Sequence, residues 1–274
     1  MLKKKINWVF ICLILALSCT EKSQRRLPYL GNYDVSYSQQ NGKTTTDTIY
    51  QRIPNFTFFN EDSILVTNKT FAGKVWISEF FFAGCPSICP IMNTQLKNVA
   101  KALAPYQKEL QYLSFTIDPT NDTPSKLKAH KAKLGITNPN WAFLSGNEAF
   151  THQLGIENFL IFAGREDEAL GGYAHSGAFT LVDKKGYVRG VYEVVQPDLS
   201  VNKKEFQRLI NDTKTLFTYE YQFDARLFQR CQKAVDRRAF ITDGIDGGHG
   251  PEVAVVPARR KSFHPTTSRS KAAS

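Results

Sequence analysis

VWISEFFFAGCPSICPIMNTQ (75–95) decides the fold. Its first part, 75–82, is an apolar run of β-branched and aromatic residues, which predicts a strand buried on both faces. Its last part opens a helical pattern over 91–106, where Met92, Leu96, Val99 and Leu103 recur at helical spacing. Between the two lies GCPSICP (84–90). The unit is therefore a core strand, a cysteine motif and a helix, in that order.

Downstream the alternation continues. LQYLSFTID (110–118) reads as a second buried strand. Thr123 with Pro124 predicts a helix start, and Gly135 a stop. WAFLSG (141–146) reads as a short strand, and NEAFTHQLG (147–155) as a short helix ended by its glycine. AFTLVDKKGYVRGVYEV (178–194) predicts two strands around a Lys185-Gly186 turn, and VNKKEFQRLINDTKTLF (201–217) a closing amphipathic helix. Alternating strands and helices imply a partly parallel sheet covered by helices, with the late hairpin adding antiparallel strands. The predicted class is α/β, a thioredoxin-like fold whose mixed central sheet is flanked by helices. Upstream, YDVSY (33–37) and TTTDTIY (44–50) predict an added N-terminal hairpin around Asn41-Gly42.

The ends differ from this body. Three lysines, an apolar run over 8–17 and small Ser18 before Cys19 read as a leader over 1–19. The run is short for a bilayer-spanning helix, which needs about 20 residues. Cys19 after a small residue resembles a bacterial lipobox, so lipidation of Cys19 is expected, with the body periplasmic and outward-facing. Cys12 lies within the apolar run. Residues 20–50 read as a tether holding the small hairpin, 51–222 as the folded domain, and 223–274 as a basic tail, disordered or non-native. Cys231, His249 and His264 in that tail lack ligand-like spacing.

The 274 residues carry a net charge of +10, with 42% hydrophobic side chains, which excludes a wholly disordered or multi-span membrane chain. The excess charge sits at the ends. Lys3, Lys4, Lys5, Lys22, Arg25 and Arg26 lie in the first 26 residues, and Arg237-Arg238 and Arg259-Arg260 mark the tail. Acidic and basic residues balance over 27–222, so no footprint for a phosphate backbone is present and nucleic acid is not an expected partner.

Cys85 and Cys89 are four residues apart beside a helix start. There the side chains share a face, and helix-start amides lower a thiol's pKa. A thiolate pair favours thiophilic ions such as Cu(I), and it can also close to a disulfide. The motif alone does not separate metal binding from redox chemistry. The third candidate is His175, in a glycine-flanked loop just before the late hairpin. Imidazole suits copper in its more oxidised state, so two thiolates and one imidazole hold either valence. Asp118, at the end of the second core strand, is a further candidate beside the cysteines, as a carboxylate supporting the site or as a turn former. His130 and His152 read as surface residues, and KAHKAK (128–133) as a solvated helix face.

FFFAGCPSICPIM (80–92), FTIDPTNDTP (115–124) and YAHSGAFTLVD (173–183) together resemble the Sco/SenC family of copper chaperones, over about residues 50–218. The resemblance implies copper as cofactor, Cu(I) or Cu(II), bound by Cys85, Cys89 and His175. It implies as partner the copper-centre subunit of a respiratory haem–copper oxidase, and a membrane attachment that suits the leader. The competing expectation is a thiol–disulfide oxidoreductase that uses Cys85 and Cys89 to reduce cysteines of the apo-oxidase subunit or of other envelope proteins. The extended loop 156–174, with Glu166, Asp167 and Glu168, departs from the family pattern.

Overall fold

The computed structural model describes residues 26–40, 43–169 and 171–221. The leader with Cys12 and Cys19, the Asn41-Gly42 turn, and the tail with Cys231, His249 and His264 lie outside the described residues. Among the described residues no helix is long and apolar enough to cross a membrane.

The chain opens with β1 (Tyr33–Gln40) and β2 (Lys43–Tyr50), an antiparallel pair apart from the main sheet, as the sequence predicts. Next come β3 (Thr57–Asn60) and β4 (Leu65–Thr67), a short hairpin absent from the sequence reading. Asn60 makes its turn, the Oδ1 atom accepting the N–H groups of Asp62 (3.0 Å) and Ile64 (2.9 Å). Then follow β5 (Val75–Phe81), α1 (Ile88–Ala102), β6 (Leu110–Thr116), α2 (Pro124–Lys133), β7 (Trp141–Ser145) and α3 (Glu148–Gln153). Two three-residue strands, β8 (Ala163–Arg165) and β9 (Tyr173–His175), form a separate hairpin. The chain ends in β10 (Gly177–Val182), β11 (Val188–Val195) and α4 (Lys203–Thr215).

The seven-stranded sheet has the order β11-β10-β5-β6-β7-β3-β4. Strands β5, β6 and β7 are mutually parallel and the remaining pairs antiparallel, which is the mixed, thioredoxin-like arrangement expected. Every residue of β5 and β6 is buried, because sheet neighbours flank them and side chains cover both faces. Lys97 Nζ of α1 donates to the Leu134 carbonyl just past α2 (3.0 Å), linking the two helices. Phenylalanines fill much of the core. Phe80 stacks on Phe115 with centroids 5.1 Å apart, and Phe159 packs edge-on against Phe80 at 5.4 Å.

Two boundaries depart from expectation. Helix α1 begins at Ile88, earlier than expected, and Cys85 stands before it in a turn closed by Cys85 N–H to the Phe82 carbonyl (3.1 Å). The helix over 148–153 does not stop at Gly155 but runs on through a wider turn, 154–159, and ends at Leu160 with φ 59°. Gly155 serves close packing there, since a Cβ would stand 3.1 Å from the Phe80 ring.

Candidate metal centre

A loop, a helix start and a strand end meet beyond the C-terminal end of β5. The loop carries Cys85. Its entry is pinned by Asp122, whose Oδ2 accepts both the Ala83 N–H (2.8 Å) and the Thr116 hydroxyl (2.6 Å). Burial raises the Asp122 pKa, opposed by those two hydrogen bonds. Cys89 is the second residue of α1 and nearly inaccessible. His175 ends β9, and Ser176 carries the chain directly into β10.

The ligand atoms of Cys85, Cys89 and His175 all lie within 4.8 Å of one another, and all three residues are buried. Neither sulfur is in a disulfide. Cys89 Sγ and His175 Nε2 are 2.8 Å apart, while His175 Nδ1 lies 3.2 Å from the Ser176 carbonyl. A carbonyl oxygen only accepts, so Nδ1 carries the proton in the neutral ring and the Nε2 lone pair faces the sulfur. Cys85 is held well below the ordinary thiol range, chiefly by hydrogen bonding from Cys89, with help from the N–H groups of Cys89 and Ser87 and against its burial. Burial pushes Cys89 the other way, and the neighbouring Cys85 adds to it. Cys85 thiolate and Nε2 thus converge on the Cys89 thiol proton. A soft cation in its place satisfies all three donors at once, so the donor set fits a thiophilic metal.

The sequence-predicted trio is therefore brought together, although not by helical spacing: the turn over 82–85 folds one sulfur toward the first turn of α1. Asp118 is buried beside this cluster but outside it. Its oxygens accept from Asn121 Nδ2 (2.8 and 3.1 Å) and from the Tyr173 hydroxyl (3.2 Å). Its role is turn geometry plus a link to the His175 strand. Tyr173 also donates toward Glu148 Oε1 (3.3 Å), and Arg165 Nε binds that same oxygen at 2.5 Å. Burial and these carboxylates push Tyr173 up to about 12, so it remains a donor. Sequence reasoning gave no role to Tyr173, Glu148 or Asp122, although Tyr173 and Asp122 lie in the stretches YAHSGAFTLVD and FTIDPTNDTP that carry the family resemblance.

Neither lone histidine is a surface residue. His130 stacks on Phe81 (centroids 5.8 Å apart) and is half-buried, which lowers its pKa. His152 Nε2 binds the Ile117 carbonyl at 2.8 Å. In KAHKAK, Lys128 is exposed and pairs with Asp62, whereas Lys131 turns inward to Glu61 and the Trp141 carbonyl.

The SCO1/SenC family profile matches residues 44–210. The SCO1 protein homolog of Bacillus subtilis is 28% identical over 181 residues, covering 65% of this chain and 89% of that protein. A protein of Stutzerimonas stutzeri, named as a candidate copper-binding protein, is 29% identical over 180 residues, covering 65% and 83%. Among solved structures, a SCO1/SenC family lipoprotein from Bacillus anthracis superposes with a TM-score of 0.53 at 27% identity, over 60% of this chain and 93% of that one. BsSco, described with a disulfide switch and as a member of the Sco family of cytochrome c oxidase assembly proteins, gives 0.50 at 27%, over 61% and 94%.

Proposed function

The chain belongs to the SCO1/SenC family, and from that premise we propose that it is a copper metallochaperone that supplies the copper centre of a respiratory haem–copper oxidase during its assembly. The observation that carries the reading is the convergence of two free sulfurs and an imidazole lone pair in one buried cluster. Cys85 and Cys89 supply thiolates that hold Cu(I). His175 adds the borderline nitrogen that Cu(II) requires. Cargo of this kind must be released, and a site beyond the carboxyl end of a central strand suits transfer better than one inside the core.

The test is a copper titration of the reduced protein. We expect one copper per chain, lost in Cys85→Ser and in Cys89→Ser. His175→Ala should weaken Cu(I) modestly and remove or shift the thiolate-to-Cu(II) absorption. An unchanged Cu(II) spectrum in His175→Ala would reject the third ligand.

A second reading is favoured by the depressed Cys85 thiol next to a free partner: a thiol–disulfide oxidoreductase acting on cysteines of the apo-oxidase or other envelope proteins. That activity needs no imidazole ligand, so it survives His175→Ala, whereas copper holding does not. We place the domain on the outer side of a bacterial membrane, tethered by lipid on Cys19. The short apolar leader supports this, as does the description of the Bacillus anthracis relative as a lipoprotein. Cys19→Ala should then release the protein from the membrane fraction; unchanged retention and unchanged gel mobility would refute the anchor.

A further inference from the structure

His175 stands on a strand outside the main sheet. Strands β8 and β9 pair only with each other, three residues on each side, through Ala163↔His175, Gly164↔Ala174 and Arg165↔Tyr173. A hairpin this short has no independent stability. At its open end Ser176 N–H to the Phe162 carbonyl (3.1 Å) continues the hairpin, and the chain runs on into β10. Apart from the His175–Cys89 contact, the side-chain hydrogen bonds tying the described hairpin to the protein come from Arg165 and Tyr173. Both reach Glu148, and Tyr173 also reaches Asp118.

Tyr173 is placed to act on the histidine. Residues 173 and 175 face the same side of β9 and are both buried. The Phe82 ring packs against both, 5.5 Å from the Tyr173 ring and 6.1 Å from the His175 ring. Gly171 lets the loop close on Phe82, for a Cβ there would stand 2.7 Å from the ring. The hydroxyl is shared between Asp118 at the end of β6 and Glu148 at the start of α3. Asp118 follows β6 and Glu148 opens α3, so the phenol bridges two segments outside the hairpin.

We propose that Tyr173 is the positioning residue for His175: its hydroxyl, shared by Asp118 and Glu148, latches β9 so that Nε2 stays on Cys89. This rests on the copper reading above. Tyr173 touches no donor atom of the cluster and acts only by fixing where the imidazole stands. Without the hydroxyl, the ring still packs on Phe82, but the strand loses its tie to β6 and α3. The dithiolate would keep its geometry, since the turn over 82–85 and α1 hold it independently.

Tyr173→Phe removes the hydroxyl alone. Cu(I) affinity should stay within about threefold of wild type, and the melting temperature within about 3 °C. Cu(II) affinity should fall about tenfold, the loss typical of a disturbed group behind a ligand, with a shifted thiolate-to-Cu(II) band. In the metal-free protein, the His175 ring resonances should broaden. Adding Asp118→Asn to Tyr173→Phe should cause little further loss of Cu(II) affinity, because the latch is already open; Glu148 is left intact because it also holds Arg165. A wild-type Cu(II) spectrum and affinity in Tyr173→Phe would overturn the latch while leaving the His175→Ala result intact. A parallel fall in Cu(I) affinity, Cu(II) affinity and melting temperature would overturn it in favour of a general packing role. If the wild type itself held no Cu(II) through His175, the copper reading would fail, and the metal-free resonances would still decide the latch.

Discussion

Glu79 stands in the middle of β5 with no exposure to solvent. Ser114 donates to its Oε1 (2.6 Å) and in turn accepts from Trp141 Nε1 (2.9 Å), while Oε2 has no partner among the described residues. Burial raises the carboxyl from 4.5 to about 7, against the Ser114 bond. The folded state therefore holds this proton more tightly than the unfolded chain does. The stabilisation is fully present below pH 4.5 and is lost as the pH rises through about 7. The difference is on the order of 3 kcal/mol. Glu79→Gln keeps an acceptor for Ser114 and cannot ionise. Urea unfolding should then show wild type losing stability relative to the variant between pH 4.5 and pH 8. Parallel curves across that range would show that Glu79 keeps its charge when folded.

Among the elements, β10 is placed by its first residue. Gly177 begins the strand at a register shift against β11, and a Cβ there would stand 1.9 Å from the Val195 carbonyl oxygen. That oxygen is backbone and cannot swing aside. Gly177→Ala must force β10 and β11 apart two residues from His175. The expected cost is about 1–3 kcal/mol or more, the range for overpacking a tight site, together with weaker Cu(II) binding. Chemical denaturation reads the first effect, and an unchanged midpoint would contradict the close approach. By contrast α2 follows its local signals closely. Thr123 Oγ1 accepts the Lys126 N–H, Pro124 takes the first position, and Gly135 leaves the helix at φ 65°.

At the scale of the whole molecule, Arg189 gathers segments remote in sequence. From β11 its guanidinium donates to the Leu27 and Pro28 carbonyls at the start of the described chain, to Asp183 in the hairpin turn (2.9 Å), and to Glu220 near its end (2.9 Å). Arg189 and Asp183 are almost wholly buried. Arg189→Met would leave the Asp183 carboxylate without its cation. Breaking such a pair from one side costs about 3–5 kcal/mol. Unfolding experiments should show that loss, and hydrogen exchange should speed up at residues 26–30 and 216–221. Unaltered exchange at both segments would mean that packing alone holds them.

The strand, cysteine motif and helix of 75–95, the cap and stop of α2, and the trio Cys85, Cys89 and His175 were all legible in the residues. Periodicity reports an element long enough to have faces, glycine and proline mark its ends, and soft donors beside a helix start have few other uses. Tertiary contact decided the rest. Strands of three or four residues, such as β4, β8 and β9, are too short to show alternation and exist only because a partner pairs with them. Cys85 lies off the helix, in a turn fixed by an aspartate 37 positions away, and a motif's spacing carries no trace of such a contact. From sequence, Tyr173 falls in the extended loop 156–174 and carries no role of its own. That its hydroxyl reaches two carboxylates depends on how β9 folds over Phe82, and only the assembled protein supplies that geometry.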